Sequence, residues 1–327
     1  MRLVVVVFVL LSLGVGVGVA TSGVPSPRDT AGNGSEILGI VPTVAEAHSQ
    51  AGKGGSGGNL VYHGGPVLLT NKTVAIYWGP GASTPGSGSP SFPDTGYQTV
   101  VNRYFSDVAA ASGAIGGPSN VYAVETQYYN SGGGHIQYAS SAGTALVDDS
   151  AYPASGCSDT VAATTVCLSD SQIQAEVAKN VPNPDPQTVY FVFTGKGAGS
   201  CYSGSSCAFS SYCAYHSSFT SNGKSYLYAN QPYADTVPTA CDAGYHPNGA
   251  ESADADATLH VASHEHRESI NDPFGNAWYD RRGYEGSDKC AWNFGSTSNG
   301  SNQTINGNPY ALQQEWSNAI SGCALGA

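Results

Sequence analysis

The chain reads as an α+β (loosely α/β) protein: a single disulfide-stabilised domain built on a mixed sheet. Three observations predict this. Strand-length apolar runs at Thr73–Trp78 and Thr188–Thr194 are interspersed with helically spaced segments, without the strict alternation of a wound parallel fold. Eight cysteines, an even number, all fall between Cys157 and Cys323, the arrangement expected of disulfides formed in an oxidising compartment. The longest helical pattern, Asp254 to Ile270, lies late in the chain and carries a dense run of ionisable residues.

Taken in order, Met1-Arg2, the apolar run from Leu3 to Val19 and the small residues Gly18-Val19-Ala20 predict a secretory signal over residues 1–20. An uncleaved anchor competes, but Ser12, Gly14, Gly16 and Gly18 weaken it as a spanning helix. Residues 21–58 lack apolar periodicity and end in Gly52-Lys-Gly-Gly-Ser-Gly-Gly58, which predicts a flexible Gly/Ser-rich leader or propeptide. The formal G-x-S-x-G there lacks the strand and helix of a nucleophile elbow. The remaining residues, 59–327, suffice for one domain with its own core.

Within that domain, Val100, Val101, Tyr104, Phe105 and Val108 are spaced for a helix from Tyr97 to Ala111, with Gly113 as its stop. Asn120 to Tyr129 reads as extended. A short helix runs from Ser169 through Lys179, ended by Pro182, and Thr188–Thr194 reads as a central strand. Short strands pinned by disulfides are expected between Cys201 and Tyr228. Asp254 and Asp256 suit the N-terminal dipole of the long helix, and Pro273 closes it. Pro309 to Ile320 is expected to form a closing helix. Eight cysteines allow 105 pairings, among which the sequence does not choose; proximity favours Cys157–Cys167 and Cys201–Cys207, leaving Cys213–Cys241 and Cys290–Cys323.

Charge narrows the partners. There are 12 Lys+Arg against 24 Asp+Glu, a net charge of −12, which argues against nucleic acid or anionic lipid, both of which reward basic patches. With charged residues only 11% of the chain, the surface relies on Ser, Thr, Asn and Gly, as suits an extracellular protein. No later stretch is long and apolar enough to span a membrane, so no membrane association is expected after signal cleavage. Sequons begin at Asn33, Asn71, Asn299 and Asn302.

The chemistry concentrates in His260-Val-Ala-Ser-His264-Glu265-His266-Arg267-Glu268. On a helix, His264 and Glu268 lie one turn apart on one face, so both can reach a single metal ion. Glu265 then stands beside the first ligand, where a general base for an activated water belongs. This is the zincin-like H-E-x-x-H pattern with a carboxylate in place of the second imidazole. Pairing His260 with His264 instead would put Val261 in the base position, so the His264/Glu268 pair explains more residues. A third ligand is expected from Glu285 or Asp288, far enough downstream for the chain to turn at Pro273 and return; Asp272 is a further option. The competing reading is a solvated helix face on which Glu265 pairs with Arg267 or Lys289. His216 and His246 read as loop or core residues. Trp278, Trp292 and Trp316 offer either a sugar-stacking surface or core packing.

Several segments together resemble a known family. They are Tyr62-His-Gly-Gly-Pro-Val67 with the strand ending at Trp78, Cys213-Ala-Tyr-His216, and Ser263-His-Glu265 with Glu268, Pro273, Asn276-Ala-Trp-Tyr279, Glu285, Asp288 and Cys290. These resemble the phosphate-induced protein 1 family, known in plants as EXORDIUM-like proteins, over roughly Leu60 to Cys323. The family commonly has small or apolar residues where this chain has His266, Arg267 and Ser269. The resemblance implies an EXORDIUM-like domain over residues 59–327 and a secreted, cell-wall or apoplast type of protein linked to growth, without a settled activity.

The expectation is therefore a secreted protein with Zn²⁺ held by His264, Glu268 and Glu285 or Asp288, in which Glu265 activates water for hydrolysis of a peptide bond. The alternative is a non-enzymatic extracellular protein that binds a cell-wall polymer or a protein partner.

Overall fold

In a computed structural model, residues 28–50, 57–84, 92, 95–113 and 120–327 are described. The signal segment 1–20 and most of the Gly/Ser stretch, residues 52–56, lie outside them. The strands are β1 (Asp29–Thr30), β2 (Glu36–Pro42), β3 (Val61–Tyr62), β4 (Asn71–Trp78), β5 (Ser140–Ala142), β6 (Leu146–Asp148), β7 (Val166–Ser169), β8 (Thr188–Thr194), β9 (Ala198–Cys201), β10 (Tyr212–Ser221) and β11 (Lys224–Gln231), then β12 (Trp278–Tyr279), β13 (Gln303–Ile305), β14 (Asn308–Tyr310), β15 (Glu315–Ser317) and β16 (Gly322–Ala324). The helices are α1 (Val44–Gln50), α2 (Thr95–Ala110), α3 (Asp170–Asn180), α4 (Pro238–Cys241) and α5 (Ala253–Asn271).

Eight strands form one mixed sheet in the order β1-β2-β10-β11-β8-β4-β5, with β6 also pairing β4. Pairs among β11, β8, β4, β5 and β6 are parallel; those joining β1, β2, β10 and β11 are antiparallel. Every residue of β8 is buried, as a strand covered on both faces requires. Alternate side chains divide two apolar layers. Ala75, Tyr77, Phe191 and Phe193 pack toward α2 and α5, whereas Val74, Ile76, Tyr190 and Val192 pack with Ile173 and Val177 of α3. Ser169 caps α3 through a capping box with Gln172.

Four disulfides form: Cys157–Cys167 and Cys201–Cys207, the pairs that proximity favoured, and the two that these left, Cys213–Cys241 and Cys290–Cys323. Among the described residues, no helix is long and apolar enough to cross a membrane.

Four local expectations need correction. Residues 28–50, read as part of a flexible leader, form β1, β2 and α1, and β2 pairs with β10 in the main sheet. Its Ile37, Leu38, Ile40 and Val41 are all buried. A strand covered on both faces shows no period-two pattern, and Gly39 breaks up the run. Asn120 to Tyr129 is not extended: Asn120 caps a 3₁₀ helix over Val121–Gln127 by accepting the Tyr122 N–H. The closing helix does not form. Leu312 and Trp316 have helical spacing, but β14 and β15 occupy that stretch, and β15 pairs with β16, which carries Cys323. Finally, β10 and β11 are long rather than short. Asn222 and Gly223 both take positive φ in their two-residue turn, the Asn-Gly hairpin signal. Of the sequons, Asn71 is buried and its Oδ1 faces the His266 ring.

Candidate metal centre

Helix α5 crosses the sheet with its residues from Ala255 to Asn271 buried. Its first half suits that environment: Leu259 and Ala262 enter one apolar layer, Ala257 and Val261 the other. Its second half does not. His264, Glu265, His266, Arg267 and Glu268 are five consecutive ionisable residues at 0% exposure. Burying a large apolar side chain stabilises by roughly 1.5–3 kcal/mol, whereas an unpaired buried charge costs several kcal/mol. Each of the five must therefore have a partner or be neutral.

Two of them have partners in the protein. The Arg267 Nε donates to Glu315 Oε2 at 2.8 Å, and its Nη2 donates to the Gln313 carbonyl. His266 lies between the Tyr122 hydroxyl and Asn71 Oδ1, each 2.9 Å away, and burial holds its pKa down to about 3, so it is neutral. Lys289 pairs with Asp280 at 3.1 Å. A solvated face with Glu265 bonded to Arg267 or Lys289 is thus ruled out by where those cations go.

The remaining three, His264, Glu265 and Glu268, meet residues from outside the helix. His264 Nε2 lies 3.1 Å from Glu268 Oε2 and 3.5 Å from Asp288 Oδ1, and these three residues can converge on one ion. Each is held by its other polar atom. The Trp292 backbone N–H donates to Gln313 Oε1 at 3.0 Å, which settles the orientation of that amide. Gln313 Oε1 then accepts from His264 Nδ1 at 3.2 Å, leaving the lone pair on Nε2. The Gln313 Nε2 donates to His260 Nδ1 at 2.9 Å, and His260 Nε2 donates to the Cys241 carbonyl. Glu268 Oε1 accepts the Asp288 N–H at 2.7 Å, and Asp288 Oδ2 accepts the Glu285 N–H at 3.1 Å. What remains, Nε2 of His264 and Oε2 of Glu268, makes no hydrogen bond despite complete burial, although the two atoms are within ion-pair distance. Two buried polar atoms that close, with no well-formed hydrogen bond between them, are placed to share a cation.

The neighbouring electrostatics favour a positive charge at this point, which a proton on Nε2 or a cation would supply. Burial opposes a charged His264, yet the negative charge on Glu268, with Asp288 and Glu265, raises its pKa well above the usual imidazole value. Burial, then the charge on Asp288, pushes Glu268 up to about 7. Burial raises Glu265 and Glu285 well above the ordinary carboxylate range. The cavity is short of positive charge, and a divalent cation would supply it.

Of the residues singled out in the sequence, His264, Glu268 and Asp288 come together; Glu285 does not join that group. Its carboxylate lies 4.0 Å from His216 Nε2, and neither of its oxygens has a hydrogen-bond partner. Asp272 is engaged elsewhere, by Arg28 and by the Ala277 N–H. Glu265 accepts from His216 Nδ1 at 3.1 Å, and His216, Glu265 and Glu268 form a second group able to converge on an ion. His216 was read as a loop or core residue. It sits on β10, and only the packing of α5 across that strand brings it to Glu265. The signals available in the sequence were its place in the Cys213-Ala-Tyr-His216 segment of the family resemblance and its position ahead of an Asn-Gly turn. Of the two readings of the tryptophans, core packing holds: Trp278 and Trp316 are buried, and Trp292 Nε1 donates to the Pro42 carbonyl.

The elements holding the centre are braced independently. The 3₁₀ turn Asp288–Cys290 is tied to the C-terminus by Cys290–Cys323, and Cys213–Cys241 links the start of β10 to α4. No family model, curated protein or solved structure matches this chain.

Proposed function

We propose that this chain is a secreted metal-dependent hydrolase that holds Zn²⁺ between His264, Glu268 and Asp288 and acts on peptide bonds. One observation carries the reading: three potential ligands are each fixed through one polar atom while their remaining donor atoms face one another. One imidazole and two carboxylates are acceptable to zinc, and three protein ligands leave a fourth position for water or substrate. Bound there, the ion would polarise a carbonyl and lower the pKa of water. Glu265, directly after the first ligand and oriented by His216, would accept the proton from that water. Four disulfides and the N-terminal signal pattern support an extracellular setting, in keeping with the resemblance to EXORDIUM-like proteins.

The full burial of the centre favours a second reading, a structural cation in a non-enzymatic extracellular protein. Metal analysis of the purified protein separates the outcomes. The hydrolase reading expects about one zinc per chain, lost in His264→Ala and Glu268→Ala. It also expects Glu265→Gln to keep the metal while peptide hydrolysis falls about 10²–10⁴-fold. Bound zinc with no hydrolysis, and thermal stability that collapses on chelation, would establish the structural reading. Metal-free protein whose stability is unchanged by His264→Ala would dismiss both.

A further inference from the structure

The centre is sealed by the chain's own N-terminal segment. Strand β2 lies antiparallel on β10, pairing Val41 with Ala214 and Leu38 with His216. Two steps along β10 are thus matched by three along β2, so β2 carries one extra residue at the site, a β-bulge. Gly39 lies in that bulge at φ +48°. A Cβ at this position would collide with Glu268 Oε2 and with the His216 ring. Only bare backbone can lie so close to the two proposed groups, and a left-handed φ further favours glycine.

A second anchor holds the same segment. Arg28 pairs with Asp272 at 2.5 Å, donates to the carbonyls of Gly275 and Gly283, and stacks over the Tyr279 ring at 3.6 Å. Yet β2 is peripheral to the sheet. Beyond it, among the described residues, lies only the two-residue strand β1, so its departure would break none of the pairs among β10, β11, β8 and β4. It would leave β10 as a free edge, with unpaired backbone groups beside His216, Glu265 and Glu268. A free edge of this kind pairs with an extended polypeptide.

We infer that the edge of β10 beside the metal centre is a binding site for an extended polypeptide, and that Glu36–Pro42 is its resident occupant, which must leave before a substrate can bind. This rests on the hydrolase reading for the word substrate, but the peptide site itself does not. Burial of Ile37, Leu38, Ile40 and Val41 keeps the occupied state dominant, so the intact chain is close to latent.

The test uses the full chain loaded with zinc, with Arg28→Ala and Ile37→Ser, whose side chain is buried in the apolar layer rather than against the centre, as two independent ways of loosening β2. Two measurements bear on the peptide site: the rate of zinc transfer to a chelator, and binding of a labelled peptide with the sequence of Glu36–Pro42, followed by fluorescence anisotropy. Both variants are expected to release zinc about tenfold faster and to bind the peptide about tenfold more tightly than the parent, because apparent affinity scales with the open fraction. Hydrolysis of a peptide substrate should rise in the variants and be inhibited by excess labelled peptide. No peptide binding by either variant, with zinc release unchanged while the unfolding midpoint drops, would show that β2 is a permanent strand and overturn the inference. Peptide binding without any hydrolysis would sustain the edge site and remove the hydrolase reading instead. Should the parent hold no zinc, the hydrolase reading falls and the anisotropy result alone decides.

Discussion

The backbone N–H of Asp288 donates to Glu268 Oε1 at 2.7 Å, joining two residues that the chain separates by a full turn-and-return. The bond does two things at once. It fixes the Glu268 carboxylate so that Oε2 faces His264, and it brings the Asp288 side chain to within 3.5 Å of the same imidazole. A helix and a loop are thereby locked into one arrangement of potential ligands, which would reduce the ordering cost of binding an ion.

That lock discriminates between the two downstream acids. Asp288→Asn should weaken zinc binding by about 10–100-fold, the loss typical when a metal site's supporting or ligating groups are disturbed. Glu285→Gln should leave it nearly unchanged, because the Glu285 carboxylate faces His216 instead. Competition titration against a chromophoric chelator measures both. The reverse order would move the third ligand to Glu285.

Gln313 would act at one remove from the proposed metal. Its amide, oriented by the Trp292 N–H, sets the tautomer of His264 and contacts His260. Gln313→Leu keeps similar bulk but frees the imidazole, so zinc affinity should fall by about tenfold or more while the fold is retained. The imidazole resonances of the zinc-loaded protein, read by NMR, should show a changed Nδ1 proton. An unchanged affinity would mean that His264 is held by packing alone.

The Arg267–Glu315 pair carries structural weight rather than chemistry. Both side chains are at 0% exposure, and Ser287 also donates to Glu315. Arg267→Met or Glu315→Leu alone should destabilise by about 3–5 kcal/mol, because each strands the other charge. The double variant should recover a large part of that loss. Urea denaturation of all four proteins gives the coupling directly, and additive losses would argue against a paired charge.

Glu176 gives stability a pH dependence away from the metal centre. Burial first, then the neighbouring Asp148, raises its pKa from 4.5 to about 7. The folded state therefore binds this proton more tightly than the unfolded chain. The stability it contributes is fully present below about pH 4.5 and is lost as pH rises through about 7. Glu176→Gln mimics the protonated form, so its unfolding midpoint should exceed that of the parent at pH 8 and match it at pH 4. A difference of the same size at both pH values would show that the carboxyl does not titrate in this window.

The two halves of the candidate site differed in how readable they were. His264, Glu265 and Glu268 lie on one helix, and helical geometry relates residues one and four apart without reference to the rest of the molecule. Asp288 was legible as one of three acids, with Glu285 and Asp272, because the loop length limited the reach but not which side chain would turn inward. His216 and Gln313 were not. His216 meets Glu265 from 49 positions away and Gln313 meets His264 from 49 positions away, and no local pattern encodes either encounter.

The same division holds for the fold. Sequence alone determined the α+β class, the central strands β4 and β8 and the helices α2, α3 and α5, and it favoured the pairs Cys157–Cys167 and Cys201–Cys207, since each follows from local periodicity, caps or short separations along the chain. Tertiary structure decided that β2 joins the sheet edge, that the segment around Leu312 is not a helix, and that five neighbouring ionisable residues of α5 are buried rather than solvated. Those outcomes depend on which surfaces are covered by distant parts of the chain, and burial is a property of the packed molecule, not of any stretch within it.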